Sequence, residues 1–114
     1  DLENLSVDQK VSYYLEHYWK PLYNQITSQA VANKLFDLGV LFGVGTAVKN
    51  LQITFNLEMD GVFGPVTLAR VNSSDPTRLL NDFKSEMSAH AKAIAAGNSN
   101  EAPDLNGWLL RINS

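Results

Sequence analysis

The stretch from Asp75 to Gly97 constrains the fold more than any other part of the chain. Asp75-Pro76 supplies an N-cap acceptor, followed by a residue whose missing N–H is not needed at the first helical position. Leu79, Leu80, Phe83, Met87, Ala91 and Ile94 then recur at helical spacing, and Gly97 closes the run. An amphipathic helix of that length must lay its apolar stripe on other elements, and the remaining pattern supplies helices to meet it. Ser6 and Gln9 form a capping-box start, after which Val11, Tyr14, Leu15 and Tyr18 fall on one helical face ahead of Pro21. A second helix starts near Thr27 or Ser28 and turns Val31, Leu35 and Leu38 inward. Gly39, Gly43 and Gly45 then mark a break or a close helix contact, because glycine disfavours helix interiors. A third helix runs through Ala47, Val48, Leu51 and Phe55, and Pro65 opens a short fourth one reaching Val71. A polar loop from Asn98 to Pro103 leads to a last helix carrying Leu105, Trp108, Leu109 and Ile112. No repeat at solenoid spacing occurs, and the one strand-like piece is Val62-Phe63. The expected class is all-α, a small multi-helix bundle.

At 114 residues and 45% hydrophobic content, the chain can bury one modest core and not two. The net charge of -3, with Lys and Arg scattered, speaks against a nucleic-acid partner. Cysteine is absent, which excludes disulfides and thiolate metal sites without fixing a compartment. His17 and His90 have no second histidine at metal spacing, so no metal or cofactor is expected and a zinc amidase or peptidase is disfavoured. No apolar run approaches the roughly 20 residues of a membrane span. The start at Asp1, with no signal peptide ahead of it, reads as a piece of a longer polypeptide.

Three places hold candidate chemistry. The densest is Asp60-Gly61-Val62-Phe63-Gly64-Pro65-Val66-Thr67. Its Asp-Gly pair makes a tight turn, and the N–H groups at the start of the Pro65 helix suit the Asp60 carboxylate or the Thr67 hydroxyl. Such a self-capped turn holds helices in register, and a rigid turn is also a ledge for a sugar or a stem peptide. The second place is the aromatic run Tyr13, Tyr14, Tyr18, Trp19 and Tyr23, since sugar sites set aromatic faces beside polar groups. Tyr14 and Tyr18 are expected mainly to pack, with Trp19 at a rim. The third is Asp37 within the apolar stretch Leu35 to Phe42, either hydrogen-bonded to a neighbouring helix end or poised for function. The glutamates are dispersed and form no recognisable glycosidase acid pair, so no catalytic residue is assigned.

The order of motifs carries a family resemblance. Leu35-Phe36-Asp37, Val40, Gly43, Ala47-Val48, Leu51-Gln52, Asp60 to Pro65, Thr67-Leu68, and finally Gly107-Trp108-Leu109 with Arg111-Ile112 resemble the peptidoglycan-binding domain of glycoside hydrolase family 108. Those proteins are lysozyme-like, often phage or prophage encoded, and some were labelled secretion activators. On this resemblance residues 27–114 correspond to the binding domain. Residues 1–26, with Tyr18-Trp19, correspond to the junction at the end of the catalytic segment. The Asp-Gly-x-x-Gly-Pro-x-Thr segment also occurs in three-helix wall-binding modules, whereas Phe36-Asp37 and Gly107-Trp108-Leu109-x-Arg111 favour family 108.

Two departures stand out. The family's catalytic acid lies in a Glu-Gly-Gly motif that this chain lacks, and Glu3, in Leu2-Glu3-Asn4, is not its equivalent. Leu41 and Phe42 replace an Asn and a small residue after Val40, giving apolar surface expected to pack against a missing segment or a partner. The resemblance implies the C-terminal part of a lysozyme-like fold, acting at the bacterial periplasm or cell wall. Its partner would be a peptidoglycan glycan strand or stem peptide, with the cutting Glu outside this chain. Ligand-binding candidates are Tyr18, Trp19, Asp37, Asp60, Phe63, Thr67 and Arg111. Two alternatives remain: a structural half of the lysozyme-like fold, covered by an N-terminal catalytic segment or a second copy, and a protein-interaction module of a secretion or phage-assembly factor.

Overall fold

A computed structural model describes residues 5–97 and 105–114 as helices α1 (Val7–Tyr18), α2 (Gln29–Phe42), α3 (Val44–Thr54), α4 (Pro65–Ser73), α5 (Pro76–Gly97) and α6 (Leu105–Asn113). A 3-10 turn, Pro21–Gln25, joins α1 to α2. The all-α expectation holds. Among the described residues there is no strand: Val62-Phe63 is irregular chain, and the Phe63 ring is buried. The loop expected from Asn98 to Pro103 lies outside the described residues.

Helix α5 organises the core. Leu79, Phe83, Met87 and Ala91 are buried at helical spacing, and the helix packs on α2, α3 and α6. Toward its end the buried position is Ala95, while Ile94 is half-buried. Leu35 and Leu38 of α2, Ala47, Val48 and Leu51 of α3, and Ile112 of α6 complete the cluster. Tyr23 and Ile26, from the 3-10 turn and its cap, belong to the same cluster and so tie residues before position 27 to those after it. Asn72 of α4 fastens that segment, accepting from the Thr27 N–H at 2.9 Å and donating to the Gln25 carbonyl at 2.9 Å.

Of the three clustered glycines, Gly43 makes the break. At φ 97° it caps the end of α2, its N–H bonded to the Gly39 carbonyl, and opens α3, its own carbonyl receiving the Ala47 N–H. Gly39 and Gly45 lie inside helices. Leu41 and Phe42, expected to face a missing partner, turn onto this chain instead. Leu41 packs on the core, and the Phe42 ring meets His90 of α5 and Trp108 of α6 edge-on, with centroids at 5.8 and 5.7 Å.

Helix α1 departs from its expected inward face. Its capping box is formed as the sequence indicates, yet it contains no buried residue. Val7, Val11 and Leu15 are 77%, 51% and 45% exposed, a stripe one turn apart that the rest of the described chain leaves to solvent. The physical reason is placement: α1 lies outside the bundle with α2 as its main neighbour, so one helix cannot cover its whole apolar face.

Candidate functional site

The three places singled out in the sequence resolve into two defined geometries. The first is a groove where α1 crosses α2, lined by Val11, Tyr14, Leu15, Phe36, Asp37, Val40 and Arg111, with a volume of about 260 Å³. Helical spacing sets its walls, since Val11, Tyr14 and Leu15 come from one face of α1 and Phe36, Asp37 and Val40 from one face of α2. Arg111, 74 positions beyond Asp37, reaches in from α6. Its Nε and Nη2 both donate to Asp37 Oδ1, at 2.9 and 2.6 Å. Lys34 approaches the other carboxylate oxygen at 3.8 Å and donates to the Arg111 carbonyl at 3.1 Å, placing a cation at the C-terminal end of α6.

The charges of this corner are mutually adjusted. The hydrogen bond to Asp37 raises the Arg111 pKa above its ordinary value, while burial lowers that of Lys34 against the pull of Asp37. Asp37 is thus hydrogen-bonded to a neighbouring helix, the structural member of its two expected roles. Its side chain is still 29% exposed and that of Arg111 49%, so both ions stand at the mouth of an otherwise apolar groove.

The aromatic run surrounds the same groove unevenly. Tyr14 lines it, and Tyr18 packs on Tyr14 with centroids at 5.8 Å; both are half-buried. Trp19, expected at a rim, is half-buried against the core. Its ring meets Tyr23 and Phe36 edge-on, and its Nε1 donates to Asn24 Oδ1 at 2.9 Å. It therefore supports the groove wall through Phe36. Tyr23 is 1% exposed, and burial pushes its phenol well above the ordinary tyrosine range. Its hydroxyl finds no hydrogen-bond partner among the described residues.

The second geometry is the Asp60–Thr67 turn, whose centre is Gln52. This side chain is 2% exposed, and its Nε2 donates to Asp60 Oδ1, the Val62 carbonyl and Thr67 Oγ1 at 2.9, 3.1 and 3.2 Å. Its Oε1 accepts the Gly61 N–H at 3.1 Å, which fixes the amide orientation. The backbone of Gln52 is used as well. Asn56 takes a left-handed φ of 58°, its N–H bonds the Ile53 carbonyl, and the Leu57 N–H bonds the Gln52 carbonyl, a Schellman end to α3. Asp60 Oδ1 also accepts the Val62 N–H at 2.9 Å. That bond, followed by the one from Gln52, holds the exposed carboxyl below the usual carboxylate range.

Asp60 is exposed here, while Phe63 and Thr67 are 8% and 4% exposed and face inward, Phe63 edge-on to Tyr23 at 5.2 Å. The turn is self-satisfied: its polar groups bond one another and leave Asp60 as the accessible one. Asp37, Arg111, Tyr18 and Trp19 thus gather at or behind the groove, and Asp60, Phe63 and Thr67 gather around Gln52. Sequence reasoning did not single out Lys34, though its place three residues before Asp37 is a helical pairing signal. Gln52 figured only as part of a motif, because its partners lie 8 to 15 positions downstream. Among the described residues, no three His, Asp or Glu side chains cluster to hold a metal ion, and no helix is long and apolar enough to cross a membrane.

The chain matches no protein-family model, and no curated protein sequence matches it. Among solved structures it is similar to SagA of Brucella abortus, with a TM-score of 0.82 and 26% sequence identity over 97% of this chain. It spans 62% of the length of that SagA chain.

Proposed function

We propose that this chain is the wall-binding part of a lysozyme-like muramidase, and that it holds peptidoglycan in the groove between α1 and α2. The observation that carries the reading is the composition of that groove: the Tyr14 and Phe36 side chains and aliphatic walls, with the Asp37–Arg111 pair at its mouth. Sugar rings present apolar faces and hydroxyl edges, and such a surface answers both. The motif order of family 108 and the likeness to SagA over nearly the whole chain support the lysozyme-like parentage. On that parentage the bond-cleaving acid would stand in a Glu-Gly-Gly motif, which this sequence does not hold. Cosedimentation with purified sacculi tests the proposal. The chain should be retained well above an acidic helical control, and retention should fall when the sacculi are first digested to soluble fragments. Equal recovery of chain and control would refute it.

The exposed stripe Val7, Val11 and Leu15 favours a second reading, in which α1 is the docking face for another segment of a longer polypeptide. That reading predicts concentration-dependent self-association of the isolated chain, abolished by Val11→Lys. A strictly monomeric chain at high concentration would count against it. Val11 and Leu15 belong both to the stripe and to the groove wall, so a segment docked there would compete with a ligand in the groove.

A further inference from the structure

A second groove shares no residue with the first. It lies where the C-terminal ends of α3 and α4 meet the first turns of α5, and encloses about 350 Å³. Its apolar floor is Phe55 and Leu79, and four charged side chains, Arg70, Arg78, Asp75 and Asp82, surround it.

Arg70 is held in place without being neutralised. Its guanidinium stands 5.4 Å from the Phe55 ring centroid, and Nη2 makes one long bond, 3.4 Å, to the Phe55 carbonyl. Among the described residues it pairs with no carboxylate. A guanidinium has five N–H donors, so most of its fork is free. Arg78 is 85% exposed and only loosely matched to Asp82, at 3.9 Å. Asp75 spends one oxygen capping α5, accepting the Arg78 N–H at 3.0 Å, and keeps the other.

A structural role at the end of α3 accounts for the Phe55 contact of Arg70, since the Schellman bonds take the Gln52 and Ile53 carbonyls and leave that of Phe55, yet this contact uses one donor of five. Asp75 and Asp82 also serve α5 itself, as its cap and as the i,i+4 partner of Arg78, but neither engages the Arg70 fork, which shares the apolar floor with Arg78. Neutral sugar hydroxyls do not call for two guanidiniums, whereas a carboxylate matches the planar fork of arginine. The carboxylates in turn suit an ammonium.

We infer that this groove binds a short peptide bearing a free carboxylate and a free amine, with Arg70 and Arg78 taking the carboxylate and Asp75 and Asp82 facing the amine. Naming a wall stem peptide as that ligand rests on the proposed function above; the carboxylate chemistry of the groove does not. The chain would then hold glycan and stem peptide on separate surfaces.

Titration of the isotope-labelled chain, followed by nuclear magnetic resonance, tests this with three probes: L-Ala-γ-D-Glu-meso-diaminopimelate, the same tripeptide with its carboxyls amidated, and chitotetraose. The free-acid tripeptide should shift the Nε–H signals of Arg70 and Arg78 and the amides of Phe55 and Leu79, and the amidated one should not. Arg70→Ala and Arg78→Ala should each weaken binding about tenfold, with Arg70→Lys recovering little because the fork is lost. Raising the salt from about 0.05 to about 0.5 M should weaken it further. Tyr14→Ala should leave it unchanged. An equal response to the amidated peptide, shifts mapping to the Tyr14–Phe36 groove, or no response would overturn the inference. The readings fail separately. Tripeptide binding without sacculus retention removes the wall function and leaves this site. Retention on sacculi that is lost with Tyr14→Ala, with no tripeptide binding, removes this site and leaves the wall function.

Discussion

Gln52 makes contacts out of proportion to its size. One buried amide bonds Asp60, Gly61, Val62 and Thr67, while its carbonyl ends α3. Gln52→Ala strands several of these groups at once and should cost about 2–4 kcal/mol, measured by urea unfolding. Gln52→Glu should also destabilise, since a carboxylate would face Asp60. The pH dependence follows from Asp60. Its folded pKa lies below the ordinary value, so its contribution is complete above the unfolded carboxylate range and fades as pH falls through the lower folded value. The stability gap between the wild type and Asp60→Asn should therefore be constant near neutrality and close in acid, as thermal unfolding across pH would show. Tyr23 predicts the opposite kind of effect: its buried hydroxyl has no hydrogen-bond partner among the described residues, so Tyr23→Phe should stabilise by about 1 kcal/mol. At this scale the sequence marked the Asp60–Thr67 turn but not its centre, because an interior glutamine looks like any helical polar residue until the loop folds back on it.

Helices differ in how far their pattern told the truth. For α5 the Asp75-Pro76 start and the apolar stripe from Leu79 to Ala91 appear as read, because a helix in the middle of a bundle must bury its stripe. For α1 the same kind of stripe misled, since periodicity shows which face is apolar and not whether anything covers it. The contrast is measurable. Phe83→Ala in α5 should cost about 3–5 kcal/mol and Val11→Ala in α1 less than about 0.5 kcal/mol, with α1 amides exchanging with solvent first. At the α2–α3 junction the three glycines could not be ranked from sequence. The φ of 97° selects Gly43, where alanine should cost about 1–2 kcal/mol. Leu41 and Phe42 mattered in another way. Read as an exposed departure from the family, Leu41 packs on the core and Phe42 meets α5 and α6, elements far from it in sequence.

For the molecule as a whole, long-range pairs decide where function can sit. Asp37 and Arg111 were each visible in the sequence, yet only the docking of α6 against α2 makes them a pair 74 residues apart. That ion pair and the half-exposed α1 frame one groove that is apolar within and charged at its mouth, and the wall-binding account depends on it. Retention on sacculi, compared between the wild type and Tyr14→Ala, tests that account most directly. Tyr14 lines the groove from a helix that buries nothing, so the substitution alters the surface while leaving the core intact. The account predicts strong retention of the wild type and clear loss in the variant, with unchanged helicity. Equal retention of the two would contradict a groove between α1 and α2, and retention of neither would contradict wall binding itself.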